Sequence, residues 1–384
     1  VLNVLEELDT PGEWFLDRST GILYFWPPTT ASSGQVAVSL LEQPLVTLAD
    51  VEHVTFRGLT FECTRGHGVV ITGGGHSRLD GCTLRNIGNV AICIGEGAEN
   101  YQGRIYDDTT WNRNAGGDQG VTNCRIYHCG EGGIQLGGGD RKTLTPAGNF
   151  ATGNDIYDSN RLARTYRPGI AVDGVGNRVA GNHIHDLPHF GVWLHGNDHI
   201  VERNEIDHVC LDTNDAGAFY MGRDFSERGN VIRENYFHDL GEGDLVQAVY
   251  LDDCASGATI ERNIFVRAGR GMMIGGGRDN IVTGNAFVEC QPAIHLDGRG
   301  IGWASFWFNG KDPTLLKRLA AVGHDRPPYS RRYPELVRLL DDQPAFPKGN
   351  RITNNLSVDS RWLDLLDGLT EDDLVLTDNV VYPG

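Results

Sequence analysis

The sequence predicts an all-β fold, a right-handed parallel β-helix with an N-terminal hairpin and a helical insertion near 312–342. A short phrase built around Asn recurs with gaps of 28, 22, 31, 28 and 22 residues, which is typical of a solenoid whose repeats stack on their neighbours. Strands that recur once per coil run parallel, and their crossovers are almost always right-handed. The 51 Gly among 384 residues suit the sharp corners of such a coil. The recurring residues are Asn154, Asn182, Asn204, Asn235, Asn263 and Asn285.

Residues 1–50 are predicted to form a hairpin and cap region. Alternating aromatic and aliphatic residues from Glu13 to Pro28 flank Ser19-Thr20-Gly21 and end at two prolines, a pattern typical of two antiparallel strands. The coils are expected to begin with the apolar alternation at residue 51. The β-helix is therefore predicted to occupy residues 51–384.

Two segments interrupt the period of the coils. Residues 96–119 are polar apart from scattered aromatic residues, and residues 300–347 separate two coils. Within the second segment, residues 315–322 and 335–340 have helical spacing, and each run follows a proline that is suited to the start of a helix. Long insertions on one face of a solenoid usually form the walls of its working groove.

Composition excludes several classes of partner. The formal net charge is -18, and there is no run of basic residues, so a nucleic acid is not expected as a partner. No apolar run approaches the roughly 20 residues of a membrane span, and the first residues do not resemble a signal peptide. The eight Cys form no CxxC pair and fall mostly inside coil phrases, which favours buried free thiols over metal ligands or disulfides.

The second strand of each coil predicts a working face. Its second and fourth residues are apolar or aromatic and are expected to point inward, so the third and fifth residues form two outward columns. The first column is predicted to hold Val70, Cys93, Gln135, Ala171, Trp193, Phe219, Tyr250, Met273 and His295. The second is predicted to hold Thr72, Gly95, Gly137, Asp173, His195, Met221, Asp252, Gly275 and Asp297.

Aromatic residues beside carboxylates suit sugar rings, whose C–H faces are apolar and whose hydroxyls need hydrogen-bond partners. Hydrolysis of a glycosidic bond requires two carboxyls, one to protonate the leaving oxygen and one to activate water or attack carbon. Asp252 and Asp297 are expected two coils apart, roughly 10 Å between backbones. Asp215 enters at a corner, so the register does not fix its direction. The carboxyl candidates are Asp173, Asp215, Asp252, Asp253 and Asp297.

Other chemistries fit less well. The Gly-rich segments at 137–140 and 275–280 have no following helix, which disfavours a phosphate cradle. The histidines at positions 183, 185, 189, 195 and 199 are expected to scatter over different faces, so no metal site is predicted. Among these five histidines, only His195 is predicted to lie in an outward column, the second one. The recurring Asn residues are expected to stack along the axis and bond each other.

The chain resembles bacterial β-helix glycoside hydrolases of the family that includes α-L-fucosidases and xylanases. The motifs that carry this resemblance are EWFLDRSTGILYFWPP, DTNDAGAFYMGRD, YFHDLGEG, AVYLDDCASG, HLDGRG and PPYSRRYPEL with GNRITNN. The resemblance implies that Asp215 and Asp252 are the catalytic pair. It also implies an N-terminal segment or domain that supplies the first coils and precedes this chain. A fainter resemblance to polygalacturonases rests on Asp252-Asp253-Cys254, but their Gly-His-Gly coil is replaced by Arg270-Gly271-Met272.

We therefore expect an extracellular or periplasmic glycoside hydrolase that acts on a plant or microbial polysaccharide without a cofactor. Two alternatives remain open. A polysaccharide lyase or epimerase would use Arg270 or Arg223 and a calcium ion held by Asp173, Asp252 and Asp253. A non-catalytic carbohydrate-binding solenoid would show no turnover. The residues expected to line the subsites are Trp193, His195, Tyr250, Asp253, Asp297, Asp173 and Arg270.

Overall fold

The computed structural model describes residues 3–28 and 37–382 in two compact units, residues 1–39 and 40–384. The first unit contains the predicted hairpin, with strands Trp14–Asp17 and Ile22–Phe25 paired antiparallel. A turn that includes Ser19, Thr20 and Gly21 joins the strands, and Asp17 accepts hydrogen bonds from both hydroxyls of that turn. The alternating pattern therefore predicted this element correctly.

The second unit is a parallel β-helix. Within residues 37–382, each complete coil contributes one short strand to each of three parallel sheets, and every sheet has 11 strands. The first coil already contains strand Val46–Ala49, which pairs with Val69–Thr72, so the solenoid begins before the predicted boundary at residue 51.

The strands are as follows. Sheet 1 consists of Thr55–Arg57, Arg78–Asp80, Gly120–Thr122, Phe150–Thr152, Arg178–Ala180, Ile200–Glu202, Val231–Arg233, Thr259–Glu261, Ile281–Thr283, Arg351–Thr353 and Val375–Thr377. Sheet 2 consists of Thr60–Thr64, Thr83–Ile87, Arg125–Tyr127, Asp155–Tyr157, His183–His185, Glu205–Asp207, Tyr236–His238, Ile264–Val266, Ala286–Val288, Leu356–Val358 and Val380–Tyr382. Sheet 3 consists of Val46–Ala49, Val69–Thr72, Val90–Ile94, Gly132–Leu136, Ile170–Val172, Val192–Leu194, Ala216–Gly222, Val246–Asp252, Arg270–Gly275, Ile294–Asp297 and Leu363–Leu365.

The predicted Asn ladder lies at the corner between sheets 1 and 2. Asn154 Nδ2 donates to Asn182 Oδ1 at 2.9 Å, and the same oxygen accepts the Asn154 backbone N–H at 2.9 Å. This pattern repeats from coil to coil as far as Asn355, which donates to Asn379. The residue before each ladder Asn lies in the left-handed region, as at Gly153 with φ +68. The ladder satisfies the polar groups of a corner that is otherwise packed with apolar side chains.

One strand of sheet 3 has a register different from the predicted one. Phe219 pairs with Val192 and Tyr220 pairs with Trp193, so Tyr220 occupies the outward column. Phe219 and Met221, which were assigned to the outward columns, are fully buried in the core. A shift of one residue exchanges the two faces of a strand, and Ala218, not Gly217, lies level with Gly191 and Ala248 on the neighbouring strands.

Both insertions are partly helical. Residues 96–119 contain a 3₁₀ turn at Ala98–Asn100 and a helix at Tyr101–Asp107, where only a polar loop was expected. Residues 300–347 contain the 3₁₀ turn Ser305–Trp307, the helices Thr314–Ala321 and Tyr329–Arg332, and the 3₁₀ helix Pro334–Asp341. Further 3₁₀ turns lie at Leu5–Glu7 and Glu371–Asp373.

The second insertion has a small apolar core of its own. Leu315, Leu319 and Leu336 pack there with Phe225 and Cys254 from the corner after sheet 3. All eight Cys lie within the described residues, and none of them forms a disulfide, as predicted. None of the helices in the described residues is long and apolar enough to cross a membrane.

Candidate active site

The outer face of sheet 3 brings the predicted columns together and then covers them. Asp173, His195, Asp252 and Asp297 lie on the same face, since their strands pair in register. Each of these side chains is nevertheless almost completely buried. The helix Tyr101–Asp107 covers one part of the face, because Tyr101 and Tyr106 pack against Trp193 with ring centroids 6.0 and 5.7 Å apart. Trp193, one of the aromatic residues in the predicted outward column, is therefore covered by another segment.

Arg299 joins the carboxylates at the C-terminal part of this face. Its Nη2 lies 2.8 Å from Asp297 Oδ2, and its Nη1 contacts Asp252 Oδ1 and lies 2.9 Å from Asp253 Oδ1. Asp252 and Asp297 are two strands apart, as the sequence predicted. Arg299 was not among the predicted site residues, although it holds three of them together.

The pKa values of two carboxyls in this cluster, Asp253 and Asp297, are shifted in opposite directions. Burial and the neighbouring Asp252 carboxylate raise the pKa of Asp253, although Arg223 and Arg299 oppose that effect. Burial also opposes ionisation of Asp297, but hydrogen bonds with His295 and Arg299 lower the pKa of this carboxyl to about 2. Such divergence between adjacent carboxyls is typical of acid–base sites.

Two tyrosines connect the cluster to Asp215 at the solvent edge. The Tyr220 hydroxyl donates to Asp252 Oδ2 at 2.8 Å, and the Tyr250 hydroxyl donates to Asp215 Oδ1 at 3.0 Å. The two rings meet edge to face, with centroids 5.3 Å apart. Gly217 leaves room for the Tyr250 side chain, since a Cβ at position 217 would lie 2.6 Å from Tyr250 Cβ. Asp215 is exposed, whereas Asp252 is only 8% exposed.

Asp173 belongs to a separate ion pair. Its Oδ2 accepts from Arg113 Nη1 at 2.9 Å, and both side chains are fully buried. Burial raises the pKa of Asp173 despite the opposing effect of Arg113. Three strand spacings, roughly 14 Å, separate the backbones of Asp173 and Asp252. Asp173, Asp252 and Asp253 therefore do not converge on one calcium position.

A cavity of about 430 Å³ lies beside Trp193. Its walls include Tyr101, Tyr106, Gln135 and Tyr166, and the first two come from the insertion at 96–119. The Tyr101 hydroxyl and Trp193 Nε1 are buried without a hydrogen-bond partner among the described residues. Leaving a polar group buried and unpaired costs about 1–3 kcal/mol.

His195 and Arg270 occupy different positions on the face. His195 Nδ1 lies 3.1 Å from Glu227 Oε1, and the Tyr106 ring covers the imidazole. Arg270 begins its strand opposite Gln247 and is half-buried, at the end of the sheet where Asp215 lies. The register predicted the face of His195 but not its partner, because Glu227 comes from the loop after another strand.

The residues that sequence reasoning missed are Tyr220, Arg113 and Arg299. The outward columns contained a signal for the two arginines. A Cβ at Gly95 would lie 2.9 Å from Arg113 Cβ, and one at Gly275 would lie 2.3 Å from Arg299 Cζ. Glycine in an outward column therefore marked a position that another side chain crosses.

Residues 109–287 match the family model described as a right handed beta helix region. The protein folds as a right-handed parallel β-helix. A solved structure described as a glycoside hydrolase is 12% identical with a TM-score of 0.53, and the match covers 98% of this chain and 57% of that one. This chain thus spans little more than half the length of that protein. A search of curated proteins found no match.

Two further solved structures are similar at lower TM-scores. An alginate lyase from Paenibacillus sp. str. FPU-7 is 16% identical with a TM-score of 0.43, and the match covers 65% of this chain and 89% of that one. A complex of XylC with xylose is 11% identical with a TM-score of 0.42, and the match covers 98% and 65% respectively. At 12% identity the glycoside hydrolase structure supports the fold alone, and the chemistry has to be argued from the site.

Proposed function

We propose that this protein is a glycoside hydrolase that cleaves a polysaccharide, with Asp215 and Asp252 as the two catalytic carboxyls. The observation that carries the proposal is the pair of tyrosines that holds these carboxyls on one face of the β-helix. One carboxyl would protonate the leaving oxygen, and the other would activate water or attack the anomeric carbon. The family of β-helix α-L-fucosidases and xylanases is the one whose motifs the chain resembles.

The charges around Asp252 favour a neutral sugar over a uronate. Arg299 is already paired with three carboxylates, and Arg223 is paired with Asp253. Neither guanidinium is free to neutralise the carboxylate of a uronic acid, and Asp215 adds a further negative charge at the edge. A neutral glycan avoids this repulsion.

The tyrosines favour hydrolysis over a lyase or epimerase reaction. Both of those reactions require a base that removes a proton from the sugar ring. Burial raises the pKa of Tyr220 and of Tyr250, so neither phenol is suited to act as that base at neutral pH. As hydrogen-bond donors to carboxylates, the same phenols fit the hydrolase mechanism.

The cavity beside Trp193 is proposed as a subsite for a sugar unit. Its volume of about 430 Å³ lies within the usual range of ligand pockets, roughly 300–1,000 Å³. Aromatic walls, together with polar wall residues such as Gln102 and Glu131, suit a ring with apolar faces and hydroxyl edges. A polymeric substrate accords with an extracellular or periplasmic location, which we also propose.

The first experiment measures the release of reducing ends from a panel of xylans, fucosylated glycans and pectins. Asp215→Asn and Asp252→Asn are each expected to lower kcat by about 100-fold or more, since acid–base groups typically contribute that much. Asp212→Asn is a matched control, because Asp212 is exposed in the same loop and pairs with Arg164.

Three results would contradict the proposal. Wild-type rates in both variants would show that Asp215 and Asp252 are not the catalytic pair. Ultraviolet absorbance from an unsaturated uronate, without net hydrolysis, would identify a lyase instead. Binding of a glycan without turnover, reduced only modestly in Asp252→Asn, would identify a non-catalytic binding solenoid.

A further inference from the structure

A cluster with the ligands of a metal site lies on the outer face of sheet 2. His183 and His185 are two residues apart on one strand, so both side chains point to the same side, whereas His189, His195 and His199 lie outside this strand. Asp155 pairs with His183 in register on the preceding strand. Asp155 Oδ1 lies 3.9 Å from His183 Nδ1 and 3.2 Å from His185 Nε2. One ligand atom from each residue lies within 4.8 Å of the others.

The opposite nitrogen of each imidazole is held by a second carboxylate. His183 Nε2 lies 2.7 Å from Asp207 Oδ1, and His185 Nδ1 lies 2.7 Å from Asp186 Oδ2. In metal sites, a ligating histidine almost always donates its other N–H to a carboxylate, a carbonyl or water, which fixes the tautomer. If Asp207 and Asp186 accept the N–H of these two nitrogens, the lone pairs that a metal ion would bind are those of His183 Nδ1 and His185 Nε2, which face Asp155.

A metal ion would replace one contact inside the cluster. Asp155 Oδ1 lies 3.2 Å from His185 Nε2, a hydrogen bond that coordination would break, whereas Arg125 lies 3.5 Å from the other oxygen, Asp155 Oδ2. The two imidazoles are stacked with centroids 4.0 Å apart, so coordination requires the rings to open. Side-chain exposures of 41% for His183 and 19% for His185 give them room to do so.

We propose that Asp155, His183 and His185 bind a divalent transition metal ion such as Zn²⁺. Two imidazole nitrogens and one carboxylate oxygen form a ligand set that suits Zn²⁺, whereas Ca²⁺ and Mg²⁺ prefer oxygen ligands throughout. Asp186 and Asp207 are positioning residues that orient the imidazoles. The cluster lies on sheet 2, and the proposed catalytic residues lie on sheet 3. Metal binding is therefore independent of the proposed glycosidase activity.

The test is isothermal titration calorimetry, in which zinc chloride is added to tag-free protein and the heat of binding is measured. The wild-type protein is expected to bind one Zn²⁺ at this site and to show no comparable heat with calcium or magnesium chloride. The double variant His183→Ala and His185→Ala is expected to lose the event. Asp207→Asn and Asp186→Asn are each expected to weaken affinity by about 10–100-fold, the usual effect of removing such a partner.

A matched double variant, His128→Ala and His238→Ala, removes two other imidazoles that are also paired with carboxylates. It is expected to retain zinc binding. Circular dichroism verifies that each variant is folded, and Asp155→Asn provides an independent test if the double variant is not. The proposal is overturned if wild-type protein does not bind zinc, or if affinity is unchanged in Asp155→Asn. The latter result would instead indicate the neighbouring group of His183, Glu205 and Asp207.

Discussion

Arg299 shows how one side chain organises the candidate site. Its guanidinium contacts Asp252, Asp253 and Asp297, and it lies across Gly275, where any Cβ would collide with it. An unpaired carboxylate in a buried position is costly, so three of them are tolerated because this cation and Arg223 balance most of their charge. Arg299 thereby makes the density of carboxylates at the proposed active site compatible with folding.

The pKa of Asp297 leads to a prediction about stability and pH. Its folded value of about 2 lies below the usual value near 4, so its ionised form stabilises the fold above pH 4, and this contribution is lost as the pH falls toward 2. Asp297→Asn is expected to lower the free energy of unfolding at pH 7 by on the order of 2 kcal/mol. Urea unfolding from pH 7 to pH 3 measures the difference, which is expected to narrow below pH 4.

Asp364→Asn is a suitable control, because Asp364 contacts the same His295 from a half-buried position. Its effect is expected to be smaller. A difference for Asp297→Asn that is constant down to pH 3 would contradict the assignment.

At the level of individual residues, the sequence predicted the faces better than the partners. Alternation placed Asp173, His195, Asp252 and Asp297 on one face, because every strand of a coil repeats the same period. It could not reveal that Arg113 and Arg299 pair with them. Both arginines come from irregular segments, and the path of such segments is set by tertiary packing.

The main structural element is the Asn ladder. Asn235 Oδ1 accepts the backbone N–H and the Nδ2 of Asn204, while its own Nδ2 donates to Val201 O and Asn263 Oδ1. All of these groups are buried at a corner between two sheets. Each rung therefore satisfies polar groups of the coils on both sides of it and adds to the strand pairing between neighbouring coils.

Removal of a central rung is expected to destabilise the whole unit. Asn235→Ala removes the hydrogen-bond partners of buried groups on Asn204 and Val201, and at about 1–3 kcal/mol for each unsatisfied group a loss of about 3 kcal/mol or more is expected. Thermal and urea unfolding measure the loss. Asn379→Ala, at the half-buried last rung, is the matched control and is expected to cost less. Equal effects for the two variants would show that the ladder is not a continuous source of stability.

At the level of elements, the recurring phrase predicted the coil but not all of its strands. The strands of sheet 1, such as Arg178–Ala180, have only three residues, which is too short for an alternation to be recognised. The wrong register at Phe219 has a different cause. Gly217 pairs with Gln247, so counting from this glycine instead of from Ala218 assigned the following residues to the wrong face.

At the level of the whole molecule, the two insertions meet over the working face. Arg318 in the helix Thr314–Ala321 donates to the carbonyl oxygens of Tyr106 and Arg223, at 2.6 and 2.9 Å. The sequence predicted that insertions would line the groove, but their mutual contact depends on residues more than 200 positions apart. Since Tyr106 lines the cavity and Arg223 pairs with Asp253, Arg318 links the wall of the cavity to the carboxylate cluster.

The reactivity of the cysteines can report local opening of the β-helix. Burial raises the pKa of Cys93, Cys124 and Cys129 to about 12 and that of Cys290 to about 11, and it also raises the pKa of Cys210 and Cys254. A protonated, inaccessible sulfhydryl reacts slowly with alkylating reagents, so modification has to wait until its own coil opens.

Pulsed alkylation followed by peptide mass spectrometry is therefore expected to label the half-buried Cys63 first and the buried cysteines later. Simultaneous labelling of all eight cysteines would indicate that the β-helix unfolds in one cooperative step. Labelling at different times would show which end of the β-helix opens first. Because these cysteines are distributed along the axis of the β-helix, their labelling rates report local opening along its length without an added probe.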